Sequence, residues 1–379
     1  MDDKEYDLTA LAKSRLSVRS RFNEIARQNK SHQNSNLDDD KYLSDLLKIL
    51  KIKSIVIGIG GAGNNTVSRM QDIGSDFVET MNINTDAHDL YYSNANKKLL
   101  IGKETCNGLG SGNDPSIGAT AAEEDIERLS ETLKADVVFL TFGLGGGTGT
   151  GAAPIVAREA KKNKATVVTF CSIPFTSEGK ERRKRAKSGL KELIQNTDCL
   201  IPIPNDNLLR FNENIPILTG FKIMDEVLIR CIREILNLIN NCGLINIDFA
   251  DVRRVFEKKD KIPSGLIGIT ESFGDGTDLI KKAKLALHNP LLEPDPKQVD
   301  KCIVSVTGDH KISLSKIDKI IATISNEIPE EASLKFGTAL DPSLKSKIRI
   351  MALGRGPISP YIVSAIEGTD FPQPGFLNN

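Results

Sequence analysis

Between residues 54 and 205, short apolar runs recur, each followed by a loop of small residues and then by a stretch with helical spacing. The runs are Ser54–Ile59, Val137–Leu140, Ala165–Ile173 and Cys199–Ile203, and a further strand ends at Asn84-Thr85-Asp86-Ala87. Apolar runs that alternate with amphipathic helical stretches predict a parallel sheet covered by helices on both faces. From Thr219 to Gly243 the apolar residues Phe221, Met224, Leu228, Cys231, Ile235, Leu238 and Cys242 alternate steps of three and four. That spacing predicts one long helix, with Thr219 as N-cap and Gly243 as its stop. Beyond about Pro263 the pattern changes. Strands are expected at Leu266–Glu271, Lys301–Thr307, Ser333–Leu340 and Lys347–Leu353, and helices at Asp278–His288 and Ser313–Glu327, which makes a smaller α+β unit up to Gly354.

The two ends read differently. Leu8, Leu11, Val18, Phe22 and Ile25 share a helical face, and six basic residues against the single acid Glu24 lie between Lys13 and Lys30. Such a helix can rest on an anionic membrane or pack on the globular part. Residues 31–40 form a polar linker. After Gly354 come Pro357, Pro360, Pro372 and Pro374, so residues 355–379 are expected to be a flexible tail. The expected organisation is therefore 1–50 extension, 51–218 nucleotide domain, 219–243 central helix, 244–262 loop and following helix, 263–354 second domain, and 355–379 tail.

Composition narrows the function. Fifty Lys+Arg against fifty Asp+Glu leave no net charge, which argues against bulk nucleic-acid binding. No run approaches the ~18 apolar residues of a membrane span, and no signal-peptide core is apparent. The six cysteines are scattered without a C-x-x-C pair, as in a reduced cytosolic chain.

Candidate chemistry sits in glycine loops. Gly143-Leu144-Gly145-Gly146-Gly147-Thr148-Gly149-Thr150-Gly151 lies between an apolar run and a helix start at Ala152-Ala153-Pro154. Glycines let backbone N–H groups close on an anion, and the helix dipole adds positive potential. This is a phosphate cradle rather than a Walker loop, because no lysine follows the glycines. A plain flexible turn would not need six glycines and two threonines between a strand and a helix. A second loop follows the first strand, where Gly58, Gly60 and Gly63 satisfy G-x-G-x-x-G, with Asp86 available as a ribose acid. Alone, this suggests an NAD(P)-dependent oxidoreductase. The second cradle disfavours that reading, since one Rossmann half uses one phosphate loop.

Gly145-Gly146-Gly147-Thr148-Gly149-Thr150-Gly151 resembles the signature of the tubulin/FtsZ family, in its prokaryotic, archaeal-like FtsZ form, and the likeness runs from about Lys51 to about Gly354. The resemblance implies a Rossmann-like GTP-binding α/β domain joined by a long central helix to a smaller α+β domain. It implies nucleotide contacts at Gly60, Gly61, Ala62, Gly63, Asn64 and Asn65 in the first loop and at Asn84 and Asp86 in the second. Gly110 and Gly112 would follow in the third loop, then Gly145, Gly146, Gly147, Thr148, Gly149 and Thr150, and finally Asn205. The family usually has asparagine where Asp114 stands; a carboxylate there repels phosphate unless Mg²⁺ intervenes or the side chain turns away. Glu178 would bond the ribose and Arg182 the nucleotide, Phe221 would stack on guanine, and Asp225 would accept its N1–H and N2 hydrogens. Gly243-Leu244-Ile245-Asn246-Ile247-Asp248-Phe249-Ala250-Asp251 is close to the family's catalytic loop, with Asn246, Asp248 and Asp251 at its polar positions.

Most of the ~23 residues between Asp225 and Asp248 are helical, which at ~1.5 Å each separates base contact and catalytic acids by about 30 Å. The acids then serve a neighbour's nucleotide, and the contact is heterologous and repeats into filaments. The expectation is an assembly-dependent GTPase of the cell-division ring, with Mg²⁺ held mainly through GTP phosphates and water, in the cytoplasm near the inner membrane face. A membrane adaptor, direct membrane contact through residues 8–27, and no nucleic acid complete the expected partners. A structural nucleotide-binding polymer with little hydrolysis is the remaining alternative.

Overall fold

The computed structural model describes residues 52–75, 77–210, 216–240, 244–258, 260–274, 276–289, 291–292 and 295–373. The basic stripe at 8–27, the 31–40 linker, Cys242, the stop at Gly243, and Pro374, Phe376 and Leu377 lie outside the described residues.

The first part alternates as its apolar pattern requires. The order is β1 (Ser54–Ile59), α1 (Gly60–Ile73), β2 (Glu79–Asn84), α2 (Ala87–Tyr92), β3 (Lys97–Leu100) and α3 (Lys103–Cys106). It continues with α4 (Pro115–Glu124), α5 (Ile126–Thr132), β4 (Val137–Gly143), α6 (Thr148–Lys162), β5 (Thr166–Ile173), α7 (Lys180–Asn196) and β6 (Cys199–Pro204). The six strands form one parallel sheet in the order β3-β2-β1-β4-β5-β6. Neighbouring strand residues point to opposite faces. Thus Ile55, Ile57 and Ile59 join Leu129, Val156 and Leu190 on one side, while Val56 joins Met70, Phe139 and Phe170 on the other. Each such side chain contributes about 1.5–3 kcal/mol by burial, so both faces must be covered.

The long helix α8 (Ile217–Asn240) covers the second face, with Leu228, Ile232 and Ile235 buried against it. It begins two residues earlier than expected: Pro216 offers its carbonyl to the N–H groups of Thr219 and Gly220, so Thr219 lies in the first turn rather than at the cap. After α8 come α9 (Phe249–Phe256), β7 (Gly265–Ser272), α10 (Gly276–Leu287), β8 (Lys301–Gly308), α11 (Leu314–Ser325), β9 (Ser333–Leu340) and β10 (Ile348–Arg355). A second, mixed sheet has the order β7-β10-β8-β9. One of its faces joins the α8 core through Ile267, Ile303 and Met351, and the other packs Ala352, Val304 and Leu266 on α10 and α11. Between the sheets, buried Glu234 of α8 accepts from Arg349 of β10 at 2.7 Å, and Arg349 also donates to Glu271 at 3.0 and 3.1 Å.

The tail departs from expectation. Pro360 is the first residue of a helix, α12 (Pro360–Glu367), capped by Ser359, whose Oγ accepts from Tyr361 N–H. Proline suits that position because its missing N–H would have no helical partner there. Tyr361, Ile362, Ala365 and, beyond the helix, Phe371 are buried with Leu190 and Leu193 of α7 in the core of the first domain. The chain therefore returns from the second sheet to the first, and residues 357–373 are not a loose tail.

Candidate nucleotide site

In the strand order 3-2-1-4-5-6 the direction of winding reverses between β1 and β4, and the crevice at their carboxyl ends is where open α/β sheets bind ligands. Both glycine loops open there. β1 leads straight into α1 at Gly60, and β4 leads through residues 144–147 into α6 at Thr148. Neither helix has an acid in its first turn, so both turn a positive end to the crevice, although the Asp89 carboxylate reaches the start of α1, its Oδ2 3.0 Å from where a Cβ on Gly61 would lie. The loops touch: a Cβ on Gly60, whose φ is +68°, would lie 3.1 Å from Gly149 N. A Cβ on Gly149 would lie 2.7 Å from Gly143 O, whereas one on Gly146 would meet nothing within 4 Å. Gly149 is thus required by packing, while Gly146 leaves space open to the cleft.

The cleft brings together Gly60, Gly61, Ala62, Asn84, Asp86, Gly110, Gly112, Gly146, Gly147, Thr148, Gly149 and Arg182, as the sequence led us to expect. Asp89, Ser111 and Asn113 join them. Other expected contacts stand behind the wall. Asn64 is buried and donates its amide to Gly58 O (2.9 Å) and Ile83 O (3.3 Å), and its own Oδ1 accepts from Asn84 Nδ2 at 2.9 Å. Thr150 Oγ1 accepts from Gly145 N–H at 2.8 Å and so fixes the loop's bend. Gly63 packs α1 against β4, since a Cβ there would lie 2.2 Å from Thr141 O. Gly145, with φ +95°, lies beneath Arg182. Buried Asn205 has an Oδ1 without a partner. A row of hydroxyls braces the loops: Thr148 Oγ1 is 2.7 Å from Thr85 Oγ1 and 3.1 Å from Ser111 Oγ.

Asp114 turns away from the cleft. Its carboxylate caps α4, accepting from Ser116 N–H (2.8 Å) and Ser116 Oγ (2.7 Å), and those bonds hold it below the usual carboxylate range. Asp86 likewise caps α2 by accepting from Asp89 N–H at 3.0 Å. The dinucleotide reading of Gly58, Gly60 and Gly63 fails on the two glycine cradles: β4 supplies a second phosphate loop beside the first.

Beside the cleft, sharing Ala62, lies a cavity of about 390 Å³, within the size of small-ligand sites. Asn65, Phe221 and Asp225 line it, as expected, together with Thr66, Arg69, Phe142, Leu218 and Lys222. Asp225 accepts from Thr66 Oγ1 at 2.7 Å. Burial pushes the Asp225 carboxyl up, against the pull of the Thr66 bond and the Arg69 charge. Phe221 is 38% exposed, its ring 6.2 Å from that of Phe175. Thr66 and Arg69 were not singled out from the sequence, yet a signal existed. Residues 62, 65, 66 and 69 follow the i, i+3, i+4, i+7 spacing of one helix face, and residues 218, 221, 222 and 225 do the same on α8.

Glu178 sits in a 3₁₀ turn (Thr176–Glu178) at the start of α7. Its carboxylate accepts from Phe175 N–H (2.8 Å) and pairs with Arg182 (2.8 Å). Asn246, Asp248 and Asp251 line neither cavity. Asn246 edges a separate space between α8 and the second sheet. Asp248 is exposed at the N-cap of α9 without a cap bond, and Asp251 pairs with Lys335 of β9 at 2.7 Å and Arg254 at 3.5 Å.

Comparison with known proteins agrees with this layout. The Tubulin/FtsZ family GTPase domain matches residues 53–213, and the FtsZ family C-terminal domain matches residues 264–356. The chain is similar to cell division protein FtsZ of Methanothermobacter thermautotrophicus, 38% identical over 89% of this chain and 88% of that one. It is 42% identical to cell division protein FtsZ 1 of Thermococcus kodakarensis, over 87% of each. Among solved structures, the empty FtsZ dimer of M. jannaschii superposes with a TM-score of 0.75 at 39% identity, over 84% of this chain and 92% of that one.

Proposed function

The chain belongs to the tubulin/FtsZ family of GTPases, and from that premise we propose that it binds GTP in the paired cavities and hydrolyses it between stacked subunits, as a filament of the cell-division machinery. The observation that carries this reading is the junction of two glycine-lined helix N-termini with an adjoining pocket that a carboxylate lines.

Phosphates fit the glycine-paved cleft, where Gly61, Gly146 and Gly147 offer backbone N–H groups and Arg182 adds charge. Guanine fits beside it, between Phe221 and Asn65, with Asp225 accepting two hydrogens that adenine does not present together. Thr66 holds that carboxylate from the α1 side. Glu178 and Arg182 would meet the ribose and nearer phosphates. Asp86 and Asp89 give the cleft the oxygen donors that suit a hard cation. Mg²⁺ there, held mainly by the phosphates and water, would supply charge neutralisation.

The hydrolytic acids come from elsewhere. Along α8 the span from Asp225 to Asn240 is already about 22 Å at ~1.5 Å per residue, before the chain turns toward Asp248. One nucleotide cannot bridge that distance. Asn246, Asp248 and Asp251 therefore act on the GTP of the next subunit, orienting the attacking water. The contact joins unlike faces, so it propagates as an open filament. Membrane attachment is assigned to an adaptor and to residues 8–27, to be tested by liposome co-sedimentation with and without residues 1–30.

The deciding experiment follows phosphate release and light scattering together across protein concentration, with GTP and Mg²⁺. Specific activity should rise steeply where scattering begins. Full activity in a dilute monomer would refute the shared site.

A further inference from the structure

After α12 the chain turns at Gly368, whose φ is +79°, and runs along α7. Two α7 side chains hold it there. Lys187 Nζ donates to the carbonyls of Gly368 (3.0 Å) and Thr369 (2.9 Å). Arg183 Nη2 donates to the carbonyls of Phe371 (3.2 Å) and Pro372 (3.0 Å), and its guanidinium lies 5.7 Å from the centre of the Phe371 ring. That ring is 5% exposed and meets Tyr361 edge-on at 5.1 Å.

The other end of the same guanidinium faces the nucleotide side. Arg183 Nη1 donates to Thr176 Oγ1 and lies 3.7 Å from the carboxylate of Asp206. Buried Asp206 in turn accepts from Thr176 N–H (3.0 Å) and Thr176 Oγ1 (2.8 Å). Thr176 opens the 3₁₀ turn whose last residue is Glu178, and Phe175 before it approaches Phe221 of the base pocket. A guanidinium is a rigid planar fork. With acceptors on both sides, in a largely buried setting, it cannot follow one partner without straining its bonds to the other.

We propose that residues 368–373 form a strap that positions the Thr176–Glu178 turn through Arg183, so that the C-terminal segment sets how firmly nucleotide is held. Arg183 is here a positioning residue: it touches the strap and the turn and, unlike Arg182, does not line the cleft. The proposal rests on the reading that nucleotide lies against this turn, with Glu178 the residue assigned to the ribose. It requires that losing the strap's grip be felt as nucleotide release and altered ribose discrimination, beyond any loss of fold stability.

The test uses full-length protein, dilute enough to stay unassembled. Release of radiolabelled GDP is chased with excess GDP, relative affinities for GDP and 2′-deoxy-GDP are measured, and nucleotide-free melting is recorded for each variant. Phe371→Ala removes the ring that seats the strap against Tyr361 and the Arg183 guanidinium, and Arg183→Met removes the fork itself; each should speed release about tenfold and lower the preference for GDP over the deoxy analogue. Phe371→Leu should fall closer to wild type, whereas Arg183→Lys, which keeps the charge but not the fork, should behave like Arg183→Met. A lower melting temperature with unchanged release and ribose preference in both Phe371→Ala and Arg183→Met would overturn the proposal and leave the strap as an adhesive only. Glu178→Gln separates the two readings. If it abolishes ribose preference while Phe371→Ala does not, the strap fails; if it is neutral while Phe371→Ala speeds release, the strap stands and the ribose contact of Glu178 falls.

Discussion

Asp225→Asn should weaken guanine binding and stabilise the empty protein at the same time. In the proposed site a carboxylate would accept both guanine hydrogens, whereas an amide presents N–H to a donor. Two charge-assisted hydrogen bonds contribute about 1.5–3 kcal/mol each, so GDP affinity should fall by roughly a hundredfold or more. Xanthine, with a C2 carbonyl in place of the amino group, complements the amide, and xanthosine diphosphate should gain over GDP. Stability moves the other way. Burial raises the Asp225 carboxyl above its ordinary range. A raised acid contributes stability below its unfolded pKa and loses it as pH rises through the folded value. At neutral pH the ionised Asp225 is therefore a cost, and a neutral isostere that keeps the bond from Thr66 should recover about 1–2 kcal/mol. The margin by which the variant's nucleotide-free melting exceeds that of wild type should widen as pH climbs above the ordinary carboxylate range, because the other carboxylates titrate alike in both. Calorimetric titration with GDP and xanthosine diphosphate checks the first half, and melting from pH 4 to 8 the second. A variant that binds GDP within about threefold of wild type would falsify the base assignment.

Other perturbations probe the remaining parts. Asp248→Ala and Asp251→Ala should keep GTP binding and sedimenting polymer while losing on the order of 10²-fold or more in phosphate release; wild-type turnover in both would remove the acids from the mechanism. Gly63→Ala drives a Cβ to 2.2 Å from Thr141 O and should cost about 2–4 kcal/mol in urea unfolding. Gly146→Ala meets nothing, so melting of the empty protein should hold while GDP affinity falls; unchanged affinity would place the phosphates elsewhere. Arg349→Met leaves Glu234 buried without its countercharge and should cost about 3–5 kcal/mol, much of it recovered by adding Glu234→Gln.

Much of this architecture could be read from residue pattern alone, for a physical reason. A glycine loop squeezed between a buried strand and a helix start has few uses, and two of them in one α/β domain converge wherever the winding reverses. Strands of the second sheet were also legible, since their apolar runs end at charged residues and prolines. Side-chain partnerships were not. Thr66 and Asp225 lie 159 positions apart and meet only because α1 and α8 cover the same face of the sheet. Asp114 looked like a threat to phosphate, but a carboxylate before a Pro-Ser helix start is drawn to the free N–H groups beside it. Among the C-terminal prolines position matters more than number: Ser359-Pro360 is a helix start, with the proline where its missing N–H costs nothing.

The path of the chain between α8 and α12 makes the smaller sheet an excursion from the larger domain, fastened at departure by the long helix and at return by the Tyr361 and Phe371 seat. A pull on that lobe along a filament would be shared between two moorings instead of one hinge. Rocking of the lobe would therefore bear on α7 as well as α8, the two helices that carry Arg182 and Asp225.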